Sequence, residues 1–503
     1  MVYTLVMMMS FSTVARWAQL KPQVWFAVLA VLCLACTRIF YFGLNGNEEM
    51  YLLEARKLFA PEGSYGVLSS VLASSWANAA TDMLLVAMDA AFGPYVTVIL
   101  GRVVVNGLTL WGLWRIAQAA QFPPLALPLA LVVFMALDQN YIAGEWIFGG
   151  FEAKIVAYIS VLFAMPLIWA GRWAGAVLLL AVATYAHFQV GLYWTILLGM
   201  ASLWHQPQQV RHLLGWGALY GVLVLPQLAL LVYEQSHVVG AVLPNVDWIY
   251  GTFRHPHHTA PFENWETWQS RFAVGTPLLV LTLLGLLGWR WYKRQAFTPL
   301  EKLQVVTLLW LAVAFAATYA TQESAVLGKF YLFRPNSVLL VLVLMQLAHG
   351  FLMLTEKRVG QSLQATIVFV AVVMLAVACV KSNMKISRWN TDHHQRGVLL
   401  RGWAQQHVPA GGAVLVGDGL STALVRALEP AYPTYVMEQF IPTRPDEVSL
   451  WYTRVLARRA LLAGDCTQAP EVQALALPDT ATPPACTQPL ESAMGVRFYK
   501  RTL

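Results

Sequence analysis

Apolar runs long enough to cross a lipid bilayer recur along the first three quarters of this chain, separated by short connections that carry most of its charge. A bilayer core takes about 20 residues of helix, and only segments that satisfy their own backbone hydrogen bonds can face lipid. The runs predict spanning helices at approximately 23–43, 98–117, 122–138, 154–171, 173–187, 188–204, 213–233, 274–291, 303–321, 336–354 and 363–380, about eleven in all. Of the 503 residues 58% are hydrophobic and 12% charged, against roughly 45–50% and about 25% in soluble domains. That shortfall of charge excludes a water-soluble fold. No small-residue cleavage site follows the run from Val24 to Phe42, so it reads as a spanning helix and not as a signal peptide.

With the N-terminus in the cytoplasm, Arg115, Arg172, Arg211, the cluster from Arg290 to Arg294 and Lys357 fall inside, as positive-inside bias favours, while Arg56, Lys57, Lys154, Arg254, Lys329 and Arg334 fall outside as exceptions. The chain thus reads as a multi-pass protein of the inner cell membrane. Topology also accounts for the net charge of +7, since the Lys and Arg form no stripe or patch suited to nucleic acid. Four outward segments are then long or chemically rich: Gly43–Tyr95, Asp138–Ala153, Tyr233–Arg271 and Thr321–Asn336. In the first, Glu48–Ala60 and Ser74–Phe92 predict one-sided helices lying along the membrane surface, with a turn at Pro61-Glu62-Gly63-Ser64 between them.

After Val380 the apolar runs stop. Helical patterns at Val398–His407, Leu420–Ala427 and Ser449–Ala463 alternate with strand patterns at Ala413–Gly417 and Thr434–Met437, and Gly495–Tyr499 suits an edge strand. The predicted organisation is a membrane domain over 1–380, with surface helices within 44–97, and a small soluble α/β domain over 381–503 on the extracytoplasmic side. Cys466 and Cys486 lie in that tail, where a disulfide and two separate thiols are both open.

Candidate chemistry collects in the outward segments. Glu48 and Glu49 stand where a surface helix begins, and a sheltered carboxylate there can act as a general base; helix-start stabilisation is the plain alternative. Glu145 and the run Phe148-Gly149-Gly150-Phe151-Glu152-Ala153-Lys154 open a later helix, with helix capping as the plain alternative for Glu152. Glu152 beside Glu48 or Glu49 would help to hold either a divalent metal ion or a sugar hydroxyl. Arg254-His255-Pro256-His257-His258 lacks the i, i+4 spacing of a helical metal site, because Pro256 interrupts the local helix. Phosphate recognition fits it better, a guanidinium fork supported by imidazole donors, with a solvated polar loop as the plain alternative. Lys329 and Arg334, among Phe330, Tyr331 and Phe333, are either interfacial anchors or ligands for the phosphate of a lipid-linked substrate. Within the spans ionisable residues are almost absent, His187 being the notable one, which disfavours an ion-coupled transporter.

A first helix followed outside by paired acids and surface helices, then many spans and an outward C-terminal domain, resembles the plan of the GT-C membrane glycosyltransferases. Asn47-Glu48-Glu49-Met50-Tyr51 is similar to the Asp-Glu-x-x-Tyr pattern of the protein mannosyltransferase and aminoarabinose transferase branches, with Asn47 where the Asp would stand. Phe151–Lys154, Arg254–His258, Phe330–Pro335 and the stretch from Trp403 through Trp451-Tyr452-Thr453-Arg454 also look similar to uncharacterised bacterial members. The resemblance implies transfer of a sugar from a polyprenyl-phosphate donor to an extracytoplasmic glycan, lipid or protein. It implies Glu48 or Glu49 as base, Glu152 as supporting acid, and Tyr51, Lys154, Arg254, His257, His258, Lys329 and Arg334 on the substrate side. Two rival readings are a lipid or polymer transporter and a non-catalytic scaffold of envelope assembly, the second suggested by Asn47.

Overall fold

Long apolar runs in this chain fold as helices because a helix satisfies its own backbone groups while showing side chains to lipid and to neighbouring helices. The structure, a computed structural model, describes residue 44 and residues 46–59, 75–263, 265–359, 361–409, 412–417, 435–436, 438 and 441–502. In chain order its main elements are α1 (Gly46–Phe59), α2 (Ala79–Phe92), α3 (Pro94–Ala119), α4 (Ala126–Ala136), α5 (Ala153–Trp169), α6 (Trp173–Ala186) and α7 (Phe188–His205). There follow α8 (Val210–Ser236), α9 (Trp265–Tyr292), α10 (Pro299–Ala320), α11 (Asn336–Val359), α12 (Gln361–His407), β1 (Ala413–Val416), α13 (Pro445–Leu462), β2 (Val472–Pro478), β3 (Thr487–Ala493) and β4 (Val496–Arg501).

The span expected at 23–43, the turn at 61–64 and the helix expected at 420–427 lie outside the described residues. Each of the other ten expected spans is helical. Among the described residues six stretches are long and apolar enough to cross a membrane: Pro94–Ala119, Pro207–Ser236, Phe272–Tyr292, Pro299–Ala320, Asn336–Glu356 and Leu363–Lys381. The chain is a multi-pass membrane protein. Helices α4, α5 and α6 are apolar but shorter. For α4 the reason is local: Pro123 and Pro124 precede it, and Asp138 and Gln139 adopt left-handed backbone just beyond it. The expected helix at 398–407 is the last part of α12, which runs on from Gln361 because no proline interrupts it.

The chain divides into two compact units. The first contains Leu100–Leu225 and His255–Asn383. Here α5 packs on α6, α6 on α7, α7 on α10, and α11 meets α4, α9 and α10. Val338 to Met345 of α11 are buried without a break, so this helix is surrounded on all sides. The α6–α7 junction is the single extended residue His187. Gly191 makes it possible, because a Cβ there would drive into the backbone N and Cα of Thr184. The α9–α10 hairpin is closed by Arg290 donating to Glu301 at 2.9 and 3.0 Å, while Thr298 and Glu301 form a capping box.

The second unit contains Phe40–Ile99, Pro226–Arg254 and Met384–Leu503. Helices α1 and α2 pack together, joined by Arg56 donating two bonds to Asp89 at 2.7 and 2.9 Å. The sheet has the order β1-β2-β4-β3, with β1 and β2 parallel and the other pairs antiparallel. The strand expected at the edge, near 495–499, is interior; β3, largely exposed and carrying Pro489, takes the edge instead. Tyr435 and Val436 form no strand, although the Tyr435 N–H donates to the Val414 carbonyl at 2.9 Å. Cys466 and Cys486 form a disulfide with a sequence separation of 20. A loop of that length restricts the unfolded chain by about 3 kcal/mol. Reduction is therefore expected to lower the melting temperature of this unit, checked by thermal unfolding with and without dithiothreitol.

Candidate functional site

Two side-chain amides shape the loop that leads into α5. Asn106 of α3, fully buried, accepts from the Gly149 N–H and donates to the Gly149 carbonyl, both at 2.9 Å. Gln139 accepts from the Phe148 N–H at 2.8 Å and donates to the Phe148 carbonyl at 2.9 Å. A loop tied at adjacent residues presents Glu145 and Glu152 in fixed positions. Glu152 occupies the N-cap position of α5, yet its side chain does not cap the helix. It pairs instead with Lys154 Nζ at 3.6 Å and accepts from the Trp146 indole N–H at 3.4 Å.

A second loop, Lys329–Pro335, is held from three helices. Its carbonyls accept from Gln189 (to Lys329, 2.9 Å), from the Tyr193 hydroxyl (to Phe330), from Trp310 (to Leu332, 2.9 Å) and from the Tyr158 hydroxyl (to Arg334, 2.8 Å). Tyr331 sits in the left-handed region at φ 47°, a conformation unfavourable for its side chain that the surrounding bonds maintain. The loop delivers Arg334 to the first. Arg334 Nη1 donates to Glu145 Oε2 at 3.1 Å, Nε donates to Gln189 at 3.2 Å, and the guanidinium carbon lies 4.7 Å from the centre of the Tyr331 ring.

Lys154 completes the cluster. Its Nζ is 3.4 Å from Glu145 Oε1 and 3.1 Å from the centre of the Trp146 ring. Glu145, Glu152 and Lys154 are 2%, 2% and 4% exposed, so these charges interact with little screening. The Glu145 carboxylate thus lies between two cations. Lys154 is in the first turn of α5, and Arg334 precedes the start of α11 by two residues. Helix starts carry partial positive charge, which adds to both cations.

The histidines face the same place. His255 and His258 have their rings 5.5 and 5.8 Å from the Tyr331 ring, and His257 lies 4.1 Å from His258. Pro256 follows the end of the helical stretch Ile249–Arg254 and begins a new helix. It occupies the first turn of that short helix, Pro256–Thr259, where its missing N–H costs nothing. His258 donates from Nδ1 to the Ala143 carbonyl at 2.5 Å. Burial, then the His257 and His255 rings and Lys154, hold the His258 imidazole well below its ordinary value, while the bond to Ala143 opposes them.

Of the residues singled out in the sequence, Glu152, Lys154, His257, His258 and Arg334 therefore meet within the first unit. Lys329 lends its backbone carbonyl, and its side chain is exposed. Glu48, Glu49, Tyr51 and Arg254 belong to the second unit, the first three buried on α1. Among the described residues no three His, Cys, Asp or Glu side chains gather closely enough to hold a metal ion.

Asn106, Gln139, Trp146, Tyr158 and Gln189 were not legible as site residues. Asn106 and Tyr158 are polar groups inside apolar runs, and that was their only signal. Arg102 is a further ionisable residue within an expected span, buried in α3, so His187 does not stand alone there. In the second unit Glu54 of α1 was also missed. Burial and Glu234 push its carboxyl up to about 8 against the pull of Lys57.

No family model matches the sequence, and no curated protein matches it. The chain is similar to a solved structure. That structure is ArnT from Cupriavidus metallidurans bound to undecaprenyl phosphate, at 13% identity and a TM-score of 0.49, over 95% of this chain and 97% of that one.

Proposed function

We propose that this protein transfers a sugar from a polyprenyl-phosphate donor to an extracytoplasmic acceptor, and that the first unit grips the donor phosphate. The observation that carries the proposal is Glu145 held between Arg334 and Lys154 beside two helix starts. An internal carboxylate marks a place where negative charge is stabilised. A phosphate oxygen reaching the same cations would meet a guanidinium fork and an ammonium, the pairing suited to a leaving phosphate as its charge grows. Glu48 and Glu49 enter only through the resemblance to GT-C enzymes, with the inner membrane and an outward-facing site as the expected setting.

The four residues Glu145, Glu152, Lys154 and Arg334 already balance in charge, so an arriving phosphate calls for more positive charge. His255 and His257 can supply it by taking up protons. Folding linkage has its counterpart in binding: a group whose pKa rises when the ligand arrives binds it best while protonated. Binding of undecaprenyl phosphate to the purified protein is therefore expected to weaken as the pH rises through the histidine range. Scintillation proximity measurements across pH check this, and an affinity indifferent to pH there removes His255 and His257 from the phosphate site. The function itself is tested by incorporation of radiolabelled sugar from a panel of polyprenyl-phosphate donors into membranes containing the protein. No incorporation from any donor, with the lipid phosphate bound, would favour a carrier over a transferase.

A further inference from the structure

The geometry points to His258 Nε2 as the acceptor of the proton that the sugar acceptor loses during transfer, a catalytic role that rests on the proposed function above. A carbonyl oxygen can only accept, so the bond from His258 to Ala143 requires the hydrogen on Nδ1. In the neutral ring Nε2 then carries the lone pair. The loop is built for this contact: Ala143 and Gly144 both adopt left-handed backbone, at φ 62° and 59°, a costly arrangement for Ala143 that persists where neighbouring structure maintains it. An imidazole whose tautomer is set by a backbone carbonyl is a suitable general base.

Its place suits the step. The Tyr331 ring has the His258 ring at 5.8 Å and the Arg334 guanidinium at 4.7 Å, so the base and the phosphate cation approach the same aromatic ring. In the reaction the acceptor O–H bond breaks and its proton moves to Nε2, while the acceptor oxygen bonds to the anomeric carbon. The bond from that carbon to the phosphate oxygen breaks, and its electron pair leaves on the phosphate. The groups facing His258 are His255 and His257 on its own segment, Lys154 from α5, and Tyr331 from the second loop, whose ring Arg334 also approaches. Burial, then the His257 and His255 rings and Lys154, keep the ring neutral beforehand; the charge gained by the leaving phosphate then offsets the imidazolium. Proton transfer and departure of the phosphate thereby favour each other.

Diethyl pyrocarbonate acylates only a neutral imidazole nitrogen, so mass-spectrometric footprinting of the full-length protein reads the state of His258 directly. Acylation is expected to persist at pH values where free histidine is mostly protonated, and saturating undecaprenyl phosphate is expected to suppress it. His258→Asn keeps a donor for the Ala143 carbonyl and removes the base. It is expected to keep binding undecaprenyl phosphate through Arg334 and Lys154 while incorporation falls by about 100-fold or more. Wild-type incorporation by H258N, or incorporation lost only in Glu48→Gln or Glu49→Gln, would overturn the assignment and leave the phosphate site standing. Where H258N fails to fold, or no donor is turned over, the wild-type footprint decides: His258 left reactive in lipid-saturated protein refutes it. Absence of undecaprenyl phosphate binding by the wild type would remove both this assignment and the proposed function.

Discussion

Arg334→Gln is expected to weaken binding of undecaprenyl phosphate by about 30-fold to several thousand-fold, the equivalent of losing one partner of a buried charge pair at about 2–5 kcal/mol. Three interactions disappear together: the bond to Glu145, the bond to Gln189 and the stack on Tyr331. The Glu145 carboxylate keeps Lys154 as its partner, so the vacated place becomes less positive as well as less well shaped. Arg334→Lys sharpens the reading. It restores the charge but not the planar fork, and is expected to recover only part of the affinity because one ammonium cannot satisfy Glu145 and Gln189 while stacking on an aromatic ring. Scintillation proximity binding on both variants, with thermal unfolding to confirm their fold, measures this. Wild-type affinity in Arg334→Gln would place the phosphate elsewhere.

The largest effect on stability is expected where two helices touch at a glycine. Gly191→Ala places a methyl group into the backbone of Thr184, and backbone cannot rotate out of the way as a flexible side chain can. The α6–α7 junction must open, at a cost of about 3 kcal/mol, the upper part of the range for overpacking. Gly199 lies on the same helix with nothing within 4 Å of an added Cβ, so Gly199→Ala is expected to be neutral or to stabilise by up to about 1 kcal/mol. The opposite signs of one substitution at two positions of α7 make the comparison independent of helix propensity. Melting temperatures in detergent provide the measurement. Equal effects at both positions would mean that the close approach of α6 and α7 contributes little.

Some of the site was legible beforehand because its chemistry is crowded in short segments. Phe148–Lys154, Arg254–His258 and Lys329–Arg334 stand out as polar clusters against apolar flanks. Their plain alternatives could be weighed only with coordinates. Glu152 turned out not to cap α5, and the Arg334 side chain turned inward onto Glu145. Lys329, equal to Arg334 in the sequence pattern, is exposed. The amides that hold the loops, Asn106, Gln139 and Gln189, had no such signal, since a single amide in an apolar run looks the same whether it bonds its own helix or a loop far along the chain.

Hydropathy by itself determined the class of this protein and the position of its helices. That information is local: the free energy of placing a run in lipid depends on the residues of that run. Helix limits were already less certain, because α4 ends where Asp138 and Gln139 turn left-handed, and α12 continues where polarity suggested a stop. Strand order was not local at all. The sequence near Val496 reads as an edge, and only pairing on both sides, with β2 and β3, makes β4 interior. The same holds for the cluster around Glu145. Its partner Arg334 is 189 residues away, and a pairing over that distance is decided by how α5, α7 and α11 pack, a property of the whole unit that no window of sequence contains.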